Sequence, residues 1–210
     1  MWYPVGPLPN LDYVQLATGL VILLLSLTIH EAAHAWSADR LGDATARRLG
    51  RLSLNPAVHI DPIGTILFPL IALATNLPLI GWAKPVPVNT RALQPNWRQK
   101  FMVIAAAGPA SNLVLAAIAA ILLRLAPAGP VSAALATAIY VNVLLAVFNM
   151  IPVPPLDGGN VLAGLLTGAM ADTFDKLRPY GFVILYALML SGMLWTIVSP
   201  PASLLVSWLL

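Results

Sequence analysis

Apolar residues run in long blocks along this chain, separated by short polar joints. Five blocks stand out: Leu11 to about Asp39, Ile63 to Ile80, Phe101 to Leu125, Ser132 to Ile151, and Phe182 to Val198. The unbroken ones approach the ~20 residues an α-helix needs to cross a bilayer. Pro69 and Pro78 interrupt the second, and Pro152-Val153-Pro154-Pro155 stops the fourth. A last piece, Ala202 to Leu210, is too short to span and is expected in the interface or packed on the bundle. The pattern predicts an all-α polytopic membrane protein with about five membrane segments. It reads as one domain over residues 1–210, its core at about 11–170.

The joints are less regular. Arg40 to Asp61 contains Leu49-Gly50-Arg51-Leu52-Ser53-Leu54, whose partial alternation is a weak strand signal. Gly81 to Asn89 holds Pro85 and Pro87, which exclude a helix interior and favour an extended segment.

Composition sharpens this. Of 210 residues, 59% are hydrophobic and only 9% charged, where a soluble domain averages roughly 25%. Mean hydropathy is +0.84. The net charge of +3 suits a positive-inside membrane protein better than a nucleic-acid binder, which clusters its basic residues on a polar surface. Cysteine is absent, so a metal site must use nitrogen and oxygen ligands. Met1 to Leu11 lacks Lys and Arg, so the first block is expected to be retained rather than cleaved as a signal peptide.

Charge also predicts topology. Strict alternation through five segments puts the basic joints Arg40–Asp61 and Gly81–Lys100 on opposite sides, against the positive-inside tendency. If Ile60 to Lys100 enters the membrane and returns, ten of the eleven Lys/Arg share one side and only Arg124 is left on the other. The first and third segments are therefore read as flanking a re-entrant or extended insertion, with the N-terminus outside. Non-helical backbone at that depth is tolerated where protein or a water-filled cavity covers it.

Chemistry concentrates at the end of the first block, in His30-Glu31-Ala32-Ala33-His34. Ionisable groups in a membrane helix cost about 2.5 kcal/mol or more per charge near the bilayer centre, so they mark function. His30 and His34, four apart, share a helix face and can hold one zinc ion. Glu31 is placed to reach a metal-bound water rather than the metal, as the general base of a hydrolase. A third ligand is needed. Asp39 and Asp43 lie too far along the same helix to fold back; His59 and Asp61 sit in a polar joint. Asp157 follows the fourth block, where prolines stop the helix and Gly158-Gly159 frees the backbone. Only the re-entrant topology brings Asp157 to the depth of the histidines. The competing reading makes the histidines buried hydrogen-bonding residues and Asp157 a helix N-cap.

With these residues in view, the chain resembles the site-2 protease family of intramembrane zinc metalloproteases. The resemblance rests on His30–His34, on Gly108-Pro109-Ala110-Ser111-Asn112, and on Asn149-Met150-Ile151-Pro152-Val153-Pro154-Pro155-Leu156-Asp157-Gly158-Gly159. It covers about Thr28 to Leu162. It implies one zinc per chain held by His30, His34 and Asp157, Glu31 as base, and Asn149 as an amide donor to substrate or oxyanion. Asn112 is left open between a substrate-side and a structural role. Trp82, Pro85, Val86, Pro87 and Val88 are substrate-binding candidates that pair with unwound substrate by β-addition, with Arg47 to Asn55 as a second candidate. The implied partners are transmembrane protein substrates and the lipid bilayer, with a gating membrane protein or a second copy left open and no nucleic acid. The implied location is the bacterial inner membrane, with the site near the cytoplasmic face. No PDZ or nucleotide-sensing domain is expected within these 210 residues, which read as a compact member. A metal transporter and an inactive zinc scaffold are the competing functions.

Overall fold

The computed structural model describes residues 13–67 and 83–210. Among them the chain is helical and contains no strand. Three helices are long and apolar enough to cross a membrane: α1 (Tyr13–Arg40), α3 (Trp97–Leu125) and α4 (Pro130–Asn149). The others are α2 (Thr45–Arg48), α5 (Asp157–Leu165), α6 (Gly168–Leu177), α7 (Gly181–Leu190) and α8 (Met193–Leu209).

The sequence of α1 turns it inside out relative to a soluble helix. Leu16, Leu20, Val21, Leu24 and Leu25 are exposed, whereas Ser26, Thr28, His30, Glu31, His34 and Ser37 are buried. Leucines facing lipid lose nothing by exposure, while polar groups in hydrocarbon must find partners inside the bundle. Thr28 and Ser37 bond to carbonyls of α1 itself, whereas His30, His34 and the Ser26 carbonyl find partners on α3, which packs against α1, α4 and α5. Small residues permit the approach: Ala105, Gly108, Ala116, Ala119 and Ala120 of α3 are buried. Gly164 of α5 rests on Met102, and a β-carbon there would stand 2.9 Å from the Arg98 carbonyl.

Local signals set the helix ends. Pro130 begins α4 after Gly129, whose N–H is capped by Ser132 Oγ at 3.0 Å. Pro152 prevents α4 from continuing. A core cluster joins Ala116, Ala119 and Ala120 of α3 to Ile139 and Val143 of α4 and Ala202 of α8.

Leu93 and Ile104 pack on Ala38, so α3 starts where α1 ends, and the connection between them leaves and returns at one end of the bundle. Hydrogen bonds fasten its described parts there. Asn89 N–H donates to Asp43 Oδ2 (2.6 Å), Lys84 N–H to the His59 carbonyl (2.8 Å), and the Arg51 guanidinium to the Lys84 carbonyl. The expected second segment, Ile63 to Ile80, enters the structure only as a π-helical turn, Pro62–Leu67; the remainder and Trp82 lie outside the described residues.

Two expectations are corrected. Leu49 to Leu54 is no strand: α2 absorbs Arg47 and Arg48, and Gly50 turns the chain at φ +69. The fifth block is not one helix. It breaks at Ser191-Gly192, where Gly192 takes φ +76, and the helix running to Leu190 meets α8 at 81°. The described spans therefore number three, or four if that bent pair counts as one. The tail from Ala202 continues α8 and packs on the bundle, with Leu205, Val206 and Leu209 against the core cluster.

Candidate metal centre

The centre lies where α1, α3 and the start of α5 meet. His30 and His34 project from one face of α1, their rings 4.7 Å apart and nearly perpendicular. Asp157 arrives from α5. Its Oδ2 stands 3.1 Å from His30 Nε2 and 3.3 Å from His34 Nε2, and the two Nε2 atoms are 3.1 Å apart.

These distances fit one shared ion. Zinc bonds of roughly 2.0–2.1 Å in a tetrahedron place their donors about 3.3 Å apart. Proton placement points the same way. His34 Nδ1 lies 2.7 Å from the Ile104 carbonyl, which can only accept, so Nδ1 carries a hydrogen and the neutral ring has its lone pair on Nε2. His30 Nδ1 lies 2.6 Å from Asn112 Oδ1, and the same tautomer follows. Three acceptors thus face one another: two imidazole nitrogens and a carboxylate oxygen, Asp157 Oδ2, which is buried without a hydrogen-bond donor. That is repulsive by itself and is resolved by a cation. The donor set suits zinc.

Tight backbone packing holds the cluster. A β-carbon on Gly108 of α3 would stand 2.5 Å from His30 Nε2 and would also collide with His34 Nε2, so only glycine leaves room for the histidines. Leu156, not Asp157, is the N-cap of α5, which frees the aspartate for the centre. The next two residues pin that turn: a β-carbon on Gly158 would strike the Met150 carbonyl, and one on Gly159 would lie 2.7 Å from Pro154 N. From the other side a β-carbon on Gly181 would strike the Pro154 carbonyl. The Pro152–Pro155 loop is thus wedged between α5 and α7.

Glu31 is 9% exposed, and among the described residues its carboxylate has no hydrogen bond or ion pair. Its acceptor capacity stays available beside the centre. Asn149 lies at the end of α4, its Nδ2 donating to the Leu145 carbonyl at 2.9 Å. Asn112 is fully buried, with its oxygen on His30 and its nitrogen on Asn142 Oδ1 (2.9 Å) and, at 3.5 Å, the Ser26 carbonyl. Pro85, Val86, Pro87 and Val88 lie in a run from Ala83 to Asn89 that is neither helix nor strand; Val88 packs on the cluster around Ala38.

The other candidate ligands are occupied elsewhere. Asp39 pairs with Arg47, Asp43 holds Asn89 and Thr45, Asp61 Oδ1 caps Ile63 and Gly64, and buried His59 bonds the Ser53 carbonyl. Sequence reasoning missed Asn142, and it placed Gly108 in a motif without its contact with the histidines. A lone amide inside an apolar block was the available signal for Asn142.

Known proteins resemble this chain along nearly all its length. The model of "Peptidase family M50" matches residues 124–192, which include Asn149 and Asp157. "Putative zinc metalloprotease YwhC" of Bacillus subtilis (strain 168) is 36% identical over 198 residues, covering 90% of this chain and 83% of the relative. "Putative zinc metalloprotease Rip2" of Mycolicibacterium smegmatis is 32% identical over 204 residues, covering 90% and 73%. No solved structure matches significantly.

Proposed function

The chain belongs to peptidase family M50, the site-2 protease family, and from that premise we propose that this zinc metallopeptidase works inside the membrane. It hydrolyses peptide bonds within or near transmembrane segments of membrane-tethered proteins, as a step of regulated intramembrane proteolysis. The carrying observation is the His30–His34–Asp157 cluster, whose histidines lie on the buried polar stripe of a helix otherwise coated with leucine.

In this reading His30 and His34 supply neutral imidazole nitrogens and Asp157 a carboxylate oxygen. Zinc bound there supplies a Lewis acid that acidifies water and polarises a carbonyl. Glu31 takes a proton from the attacking water and returns it to the leaving amine nitrogen. The Asn149 amide donates to the carbonyl oxygen as charge develops on it. Substrate must unwind to expose its amide, and the extended segment through Pro85, Val86, Pro87 and Val88, with Trp82 before it, receives the freed strand. Asn112 acts from behind His30.

Orientation follows from charge. Arg51 and Lys84 are joined at the end where α1 stops and α3 starts, and Arg98 of α3 pairs with Asp175 of α6 (2.6 Å). The positive-inside tendency assigns this end to the cytoplasm, with the N-terminus outside and the site near the cytoplasmic face of a bacterial inner membrane. A gating membrane protein or a second copy controls access.

The test is cleavage of a panel of single-span substrates in detergent by the wild type and by Glu31→Gln, with zinc content measured in both. The expected result is chelator-sensitive cleavage by the wild type and a loss of about 10²–10⁴-fold in the variant, with zinc retained. Equal cleavage by both removes Glu31 from its role. Metal flux into vesicles by both, without cleavage, turns the reading to transport.

A further inference from the structure

Four polar groups form a single file from the backbone of α4 to the metal centre: the Ala138 carbonyl, the Asn142 amide, the Asn112 amide and the His30 ring. Asn142 is 3% exposed and sits in the most apolar of the three spans. We propose that Asn142 is a positioning residue that dictates, through Asn112, which nitrogen of His30 carries the proton. The proposal rests on the reading that His30 binds zinc through Nε2.

Each link forces the next. The Ala138 carbonyl can only accept, so Asn142 must turn its Nδ2 toward it, at 2.9 Å. Asn142 Oδ1 then faces Asn112, which must answer with its Nδ2, at 2.9 Å. That leaves Asn112 Oδ1 toward His30 Nδ1, at 2.6 Å. The ring must place its hydrogen on Nδ1, so the Nε2 lone pair points at Asp157 and His34. Without Asn142 the only contact left to orient the Asn112 amide is the long one from Nδ2 to the Ser26 carbonyl, at 3.5 Å, which is too weak to stop a rotation by half a turn. Its NH₂ group then meets Nδ1, which must accept, and the ring proton moves to Nε2, where the metal belongs. A main-chain carbonyl fixed by its helix thereby sets the polarity of a ligand two side chains away. Partners behind a ligating histidine are known to set its tautomer; here the direction comes from a third residue that touches neither ligand nor metal.

The experiment uses the full-length protein in detergent, with zinc affinity from chelator competition, the visible spectrum of the cobalt form, and the ¹⁵N chemical shifts of His30 without metal. Asn142→Leu is expected to lower zinc affinity about tenfold and to populate the Nε2–H tautomer. Asn142→Asp is expected to keep wild-type affinity as the protonated acid, which burial in an apolar span favours, with its hydroxyl donating to the Ala138 carbonyl and its other oxygen facing Asn112. Asn142→Ser is too short to bridge Ala138 and Asn112 and reads the same loss should the leucine variant fail to fold. The decisive comparison is made in Asn112→Asp. Both oxygens of that side chain accept, so its orientation no longer matters, and adding Asn142→Leu is expected to cause no further loss. A packing role for Asn142 predicts the same loss in both backgrounds, and that result overturns the proposal. So does wild-type affinity in Asn142→Leu when His30→Ala has lost it. If His30→Ala itself keeps wild-type affinity, the assignment of His30 as a ligand fails with it.

Discussion

Gly108 lies flat against His30: a β-carbon at residue 108 would stand 2.5 Å from His30 Nε2, the atom that faces Asp157. The metal centre therefore depends on a residue with no side chain, on a different helix from its histidines. Gly108→Ala should push both rings off their positions and lower zinc content at least tenfold while α3 stays helical, since alanine favours a helix more than glycine does. Gly19→Ala, on the same α1 and with nothing within 4 Å of the added atom, is the control and should bind zinc normally. Zinc per chain after dialysis, beside helical content, checks the pair.

Asp43 fastens the extended segment to the end of α1. It is fully buried and accepts from Asn89 N–H (2.6 Å) and Thr45 N–H (3.0 Å). Asp43→Ala leaves both donors without a partner, at about 1–3 kcal/mol each where water cannot reach. The expected outcome is faster proteolytic nicking between Ala83 and Asn89 with zinc content unchanged. If the segment receives substrate, KM rises more than kcat falls. Nicking at the wild-type rate would show that other contacts hold the segment.

Much of this was legible because membranes make polarity conspicuous. His30, Glu31 and His34 interrupt an apolar helix, and Asp157 sits where prolines and glycines end another, so spacing and depth together selected the cluster that the structure brings within 3.3 Å. Gly108 was harder to read, because its value lies in empty space that only the neighbouring helix defines. Asn142 carried the same signal as the histidines but belongs to no spaced pattern. Hydropathy failed at the fifth block because it averages over residues: Ser191-Gly192 hardly dents a window, yet one positive φ there turns the chain by 81°. Leu49–Leu54 misled because alternation over six residues is short, and Gly50 is an interruption rather than a pleat position.

Removing the metal should destabilise the bundle. With zinc gone, two lone pairs and a carboxylate oxygen confront one another at 3.1–3.3 Å without a shared donor. Any ligand that binds only the folded state adds RT ln(1 + [L]/Kd), about 2.7 kcal/mol at a hundredfold excess over Kd. Chelation should therefore lower the thermal midpoint in detergent, and added zinc should restore it. Asp157→Ala removes one of the confronting acceptors, so its metal-free form should melt no lower than the metal-free wild type. A wild type that melts identically with and without chelator would mean that the cluster does not couple metal to folding.

The loop between α4 and α5 offers the sharpest test of how Asp157 is aimed. Gly158 sits on the Met150 and Ile151 carbonyls, and Gly181 on the Pro154 carbonyl, so backbone meets backbone on both sides of the loop. A main chain cannot swing aside as a long side chain can, and forcing an extra carbon into such a contact costs about 1–3 kcal/mol. The two positions differ in what else they move. Gly158 directly follows Asp157, so Gly158→Ala should lower the melting temperature and zinc affinity together. Gly181 reaches Asp157 only through the loop, so Gly181→Ala should lower the melting temperature with a smaller effect on zinc. Thermal melts and chelator competition on both variants check the ordering. Equal loss of zinc affinity in the two would mean that the loop moves as one rigid piece, with α7 as much a part of the metal centre's frame as α5.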